Sequence, residues 1–376
     1  MADCEKNIRA EHHQLLLEAI AQPADLVNYN NQQWELLLRL ARRAQLSGYL
    51  AARLEKGGML GSIPLRAANL LHSSLIQAKK QQQSVNWELN RVIWALDGRE
   101  VSLIVLKGMA YLLLDLPNAA GRIFADLDLL VSKEDLSLIE SSLLEKSWQH
   151  HALTDYDERY YREWSHEIPA LVHPERGVEV DVHHTLSSPL GKLKIDPLPF
   201  RKAAVRVQGK DIYVLNPEDM LLHCAVNLFQ NNELADDLRH LVDFNEMLQF
   251  FIYRQPDVFQ QKLIERANQL ELGNPLFYSL YFSRLLLRSP VSTDLEQQLD
   301  RKPGWIARHV MHYCVPLALL PQHPDQPSKR AVLARLVLYL RSHWLRMPLY
   351  RLLPHLTYKF YLSVFPGRST DTGHNR

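Results

Sequence analysis

Cysteine is nearly absent from this chain. Its 376 residues contain three, Cys4, Cys224 and Cys314, far apart and odd in number. Neither a zinc-binding spacing nor a disulfide framework follows, and a reducing cytoplasm is the expected compartment. Net charge is nearly absent too. The 43 Lys and Arg residues balance 42 Asp and Glu, leaving +1, so global charge gives no case for a nucleic-acid or acidic-substrate partner. No run of about 18 apolar, uncharged residues exists, so no membrane-spanning helix is expected. The opening "MADCEKNIRAEHHQ" is polar and acid-containing, unlike a secretory signal. Internal repeats are missing. What remains is 47% hydrophobic and 23% charged, an ordinary globular composition large enough for more than one folding unit.

Helical periodicity dominates residues 1–100. "HHQLLLEAIAQ" and "WELLLRLARRAQLSGYLAARLEK" place apolar residues at helical spacing, and a long helix is expected over about 65–98 after Pro64. The pattern changes at "REVSLIVLKG". Ser102–Leu106 reads as a short buried strand leading into a turn at Lys107-Gly108, with helical "MAYLLLDL" beyond it. "RIFADLDLLV" (122–131) reads as a strand. Ile123, Ala125, Leu127, Leu129 and Val131 fall on one face; Phe124, Asp126, Asp128 and Leu130 fall on the other. A helix follows, capped by Ser132 with Asp135 three residues on. Two more strands are expected at 166–173 and 177–186, the second setting Glu179, Asp181 and His183 opposite three valines. From 216 onward the chain is again helical. The expected division is a 1–100 helical region, a 101–215 α/β core, a 216–325 helical region, a 326–368 basic aromatic-rich segment and a disordered 369–376 tail.

Two carboxylates two residues apart in an apolar strand need an explanation, because burying an unpaired carboxylate is expensive. The bland one is a solvated edge strand. The sharp one is a divalent-metal site: Asp126 and Asp128 share a face and offer the hard oxygens Mg²⁺ prefers. Asp181 could complete a two-ion site or act as a base. Lys107 and Gly108 end the preceding strand, where a small residue and a cation suit an approaching phosphate. His183 shares the face of Asp181 and reads as a hydrogen-bonded support. His223, Arg239 and Asp243 lie in helices, where packing or a local Arg239–Asp243 pair is expected. Cys224 reads as core.

Together, "VLKG…RIFADLDLLV…VDVHHTL" resembles the uncharacterised nucleotidyltransferase family of the polymerase-beta-like superfamily. Lys107, Gly108, Arg122, Asp126, Asp128, Asp181 and His183 match the family pattern position by position, over about residues 88–250. The wider superfamily has Gly-Ser at the turn, where this chain has Lys-Gly. The resemblance implies an α+β fold with a small mixed nucleotidyltransferase-type sheet, flanked by N- and C-terminal helical regions. It implies Mg²⁺-dependent transfer of a nucleotide from an NTP such as ATP to an unidentified acceptor hydroxyl. Asp126, Asp128 and Asp181 would hold one or two Mg²⁺ ions, and Lys107, Gly108 and Arg122 would face the phosphates. The competing class keeps the fold for binding or regulation without turnover.

Between Gln326 and Thr370 there is no Asp or Glu, while eight Lys and Arg interleave with aromatics. That composition suits a packed helix with a basic outer face or an interfacial helix on anionic lipid, and nucleic acid less well. A peripheral position at the inner face of a membrane, serving a surface-polysaccharide or peptide-modification pathway, is the third reading.

Overall fold

The computed structural model describes residues 11–346 apart from 125, 153–157, 159–160, 163–164 and 232. Ala125, residues 347–368 of the basic segment and the 369–376 tail therefore lie outside the described residues.

The described residues begin with helices α1 (Glu11–Ala21), α2 (Asn31–Arg43), α3 (Ser47–Lys56) and α4 (Leu65–Ala95). Helix α2 opens with a reciprocal cap, in which Asn30 and Gln33 each accept from the other's backbone N–H at 2.9 Å. Helix α4 buries Leu71, Leu75, Val85, Leu89 and Val92 along one stripe. Within that stripe sits Glu88, which accepts two hydrogen bonds from the Arg176 guanidinium at 2.6 and 3.1 Å.

All named strands fall between Ile104 and Val214. They are β1 (Ile104–Val105), β2 (Asp126–Leu130), β3 (Gln149–His150), β4 (Leu171–Val172), β5 (Glu179–His183), β6 (Val205–Arg206) and β7 (Tyr213–Val214). Helices α5 (Lys107–Leu113), α6 (Leu136–Glu145) and α7 (Leu198–Lys202) connect them. The sheet order is β3-β4-β5-β2-β1-β7-β6. β2 runs parallel to β5 and β1 parallel to β7, while the other pairs are antiparallel, so the sheet is mixed. The fold is α+β.

β2 is not a solvated edge strand. It lies between β1 and β5, and Leu127, Asp128, Leu129 and Leu130 are all buried. The strand expected over 166–173 shrinks to Leu171–Val172. Pro169 cannot donate to a ladder, and ahead of it Glu167 makes only an isolated bridge to His183. The helix after β2 starts at Leu136, one turn later than its capping signal. Ser132 Oγ accepts from the Asp135 N–H at 3.1 Å and donates to the Asp135 carboxylate at 2.6 Å, closing a turn ahead of the helix.

Helices α8 (Pro217–Val226), α9 (Leu238–Arg254), α10 (Pro256–Gln269), α11 (Gly273–Leu287), α12 (Asp294–Gln297), α13 (Trp305–Leu319) and α14 (Lys329–Arg346) follow, with a π-turn at Asn227–Asn231. Buried side chains from Leu15 to Leu338 form a single hydrophobic cluster. The N-terminal helices meet the loop before β2 backbone to backbone. A Cβ on Gly121 would stand 1.9 Å from the Gly48 carbonyl oxygen, and Gly121 has φ +67°. Helix α14 buries Ala331, Ala334 and Leu338 and fixes Arg335 on Asp236. Its outer side exposes Val332, Leu333, Leu336, Leu340 and Trp344. Among the described residues, no helix is long and apolar enough to cross a membrane.

Candidate active site

Strand register brings the acids together. In the parallel β2–β5 pair, Asp128 is the direct partner of Asp181, and Asp126 of Glu179. Period two then sends Asp126, Asp128 and Asp181 to one face. Ligand oxygens of these three carboxylates all lie within 4.8 Å of one another.

Their surroundings differ. Asp128 is buried, and burial alone would raise its pKa. Lys107 and His183 outweigh that and hold it well below the ordinary carboxylate range. The Lys107 ammonium donates to Asp128 Oδ1 at 2.6 Å, and His183 Nε2 meets the same oxygen at 2.9 Å. Both donors converge on one oxygen, so Oδ2 is not needed to hold either. Asp126 is pushed up by burial and then by Asp128. Asp181 is pushed up to about 7, by burial first, then by Asp128 and Glu167. Burial and mutual repulsion thus raise Asp126 and Asp181, and the Lys107 ammonium is among the positive groups that oppose them. The cluster's hard-oxygen donor set fits a divalent cation such as Mg²⁺.

Lys107 and Gly108 follow β1 as expected, but not in a turn that precedes the next helix. They form the first turn of α5 itself. The left-handed residue is Lys107, at φ +46°, a backbone state that is strained for a residue with a side chain. It turns the ammonium toward Asp128. Gly108 sits close to its neighbours: a Cβ there would stand 3.0 Å from the Phe124 ring and 3.1 Å from Arg122 Nε.

Arg122 is not presented to solvent. Its guanidinium is buried against Asp243, which also receives Arg239 Nη2 at 3.0 Å. Arg239 reaches on to the Asn118 carbonyl at 2.6 Å. The Arg122–Asp243 pair therefore ties the entry to β2 to the distant helix α9. Cys224 is buried, as its apolar helix suggested.

Three further residues adjoin the acids. His223, on α8, is buried; burial, then Lys107 and His183, lower its pKa to about 3. Glu167 Oε2 lies 3.3 Å from His183 Nδ1 and 3.6 Å from His166 Nε2. Burial, with His183 next, holds His166 well below its ordinary value. Sequence reasoning passed over His166 and Glu167 because they fell inside the strand expected over 166–173, which the structure confines to Leu171–Val172. The available signal was an acid inside an apolar strand candidate, the same signal that marked Asp126 and Asp128.

A family model described as uncharacterised nucleotidyltransferase matches residues 30–288. The match runs from the cap of α2 to the end of α11, so it takes in N-terminal helices that the short motifs left unassigned. No curated protein and no solved structure matches the chain.

Proposed function

The chain belongs to the uncharacterised nucleotidyltransferase family, and we propose that it transfers a nucleotide from an NTP such as ATP to an acceptor hydroxyl. The observation carrying this reading is the convergence of Asp126, Asp128 and Asp181 within 4.8 Å on neighbouring parallel strands. One or two Mg²⁺ ions held there would supply charge neutralisation to the triphosphate and the leaving pyrophosphate. Lys107 would exchange its contact with Asp128 for a phosphate oxygen as the nucleotide enters. Asp181, with its pKa pushed up to about 7, suits the uptake of the acceptor hydroxyl's proton near neutral pH. Arg122 would contribute positive potential from its pair with Asp243, without touching phosphate. His183 would orient Asp128.

Mg²⁺-dependent NTP binding tests the reading. The wild-type chain should bind nucleotide more tightly with Mg²⁺, and Asp126→Asn/Asp128→Asn should lose that dependence. Equal Mg²⁺-dependent binding by both proteins rejects it.

A second reading concerns where the chain works. The exposed Val332, Leu333, Leu336, Leu340 and Trp344 stripe begins beside exposed Lys329 and Arg330. It lies in a stretch without acids. Such a face suits the surface of an anionic bilayer, and flotation with anionic vesicles measures it.

A further inference from the structure

Beside the carboxylate triad, the nitrogens of two imidazoles and one oxygen of Glu167 converge within 4.8 Å of one another. We propose that His166, Glu167 and His183 form a second metal site, selective for an imidazole-preferring ion such as Zn²⁺ and separate from the triad's hard-oxygen site.

The separations carry the proposal. Glu167 Oε2 lies 3.3 Å from His183 Nδ1 and 3.6 Å from His166 Nε2. Both are long for a direct hydrogen bond, whose usual N···O range ends at about 3.2 Å. They match the edges of a tetrahedron around an ion with ligand distances of about 2.0–2.2 Å, which come to roughly 3.3–3.6 Å. The donor set, two imidazoles and one carboxylate, is one that catalytic zinc sites use with a fourth position left open. Glu167 and His166 keep side-chain exposures of 23% and 27%, enough for a water or small ligand to reach that position.

Tautomer and orientation agree. His183 Nε2 sits 2.9 Å from Asp128 Oδ1, so the ring donates there and turns the Nδ1 lone pair toward Glu167. A carboxylate behind a ligating histidine is the usual outer support of such an ion. Here that carboxylate belongs to the triad, so occupancy of one site is coupled to the other through a single ring. Backbone pairing holds the arrangement. Glu167 bridges to His183, and the His184 N–H donates to the His166 carbonyl at 2.9 Å. Lys107 lies close enough to influence His166, and its charge is engaged by Asp128.

Metal titration of the full-length, chelator-stripped protein tests the site, using ZnCl₂ with excess Mg²⁺ present. Wild type should take up one equivalent of zinc. Substituting Co²⁺ should give the intense visible bands of a four-coordinate centre. His166→Ala and Glu167→Gln should each weaken zinc binding roughly tenfold or more. Glu167→Gln keeps the residue's shape and serves if His166→Ala fails to fold. Asp126→Asn should retain zinc, which separates this site from the triad and keeps its test independent of nucleotidyl transfer. The proposal is overturned if wild type takes up no zinc, if Glu167→Gln binds it as tightly as wild type, or if Asp126→Asn loses it.

Discussion

Asp181 and Lys107 set the electrostatics of the acidic cluster from opposite sides. With its pKa pushed up to about 7, Asp181 is largely protonated below neutrality and must release that proton to ligate a cation. Mg²⁺ affinity should therefore rise as pH increases toward 7 and level off above it. Calorimetry in buffers of different ionisation enthalpy should detect about one proton released at pH 6 and little at pH 8.5; Asp181→Asn should abolish the difference. In the metal-free chain, the unfolded carboxyl titrates near 3.9. Folding thus takes up a proton between that value and about 7, and this group's contribution to stability declines as pH rises through the window. Lys107 acts in the other direction. Lys107→Met leaves the buried Asp128 with His183 alone, and should cost about 3 kcal/mol in the metal-free protein. Urea unfolding should show a smaller loss with Mg²⁺ present, because the cation replaces the missing ammonium. An equal loss with and without Mg²⁺ would count against Asp128 as a metal ligand.

Short-range pattern carried the elements only part of the way. The D-x-D alternation and the V-D-V strand were legible because period two is a local property, and β2 and β5 form as shorter strands inside the stretches read, at Asp126–Leu130 and Glu179–His183. Their pairing was not legible: the register that sets Asp128 opposite Asp181 depends on how separate segments dock. Glycine roles were hidden for the same reason. Gly108 reads as a turn residue, yet it makes room for Phe124 and Arg122 inside a helix. Gly121, in the loop before β2, lets the strand's lead-in touch α3 at Gly48. Gly121→Ala should lower stability by about 2 kcal/mol or more, since the new methyl meets backbone and the left-handed φ is lost to strain. Gly58→Ala has an equally left-handed backbone and open space around it. It should show only the strain component, about 1 kcal/mol, and thermal melts of the two variants separate contact from conformation.

At the scale of the molecule, a net charge of +1 hides an uneven distribution. Residues 326–370 contain no acid, so all 42 Asp and Glu lie in the rest of the chain. The family match ends at residue 288, so α13 and α14 lie beyond the unit the family defines. They are nonetheless packed onto it: α14 anchors Arg335 on Asp236 and Arg341 on the Phe229 carbonyl. Composition alone left a packed helix and a lipid-facing helix as alternatives, and α14 offers a surface for each. Its inner side is core, and its outer side carries five large exposed apolar residues. If that outer stripe rests on lipid, Leu336→Glu/Leu340→Glu should abolish co-flotation with vesicles containing phosphatidylserine. Both residues are exposed, so the melting temperature should stay within a few degrees. Neutral vesicles should capture wild type weakly, and raising the salt should weaken capture by anionic ones, since screening acts on Lys329 and Arg330 more than on the apolar stripe. Equal flotation of the variant and wild type would leave the stripe without a lipid role and α14 as a packing element alone.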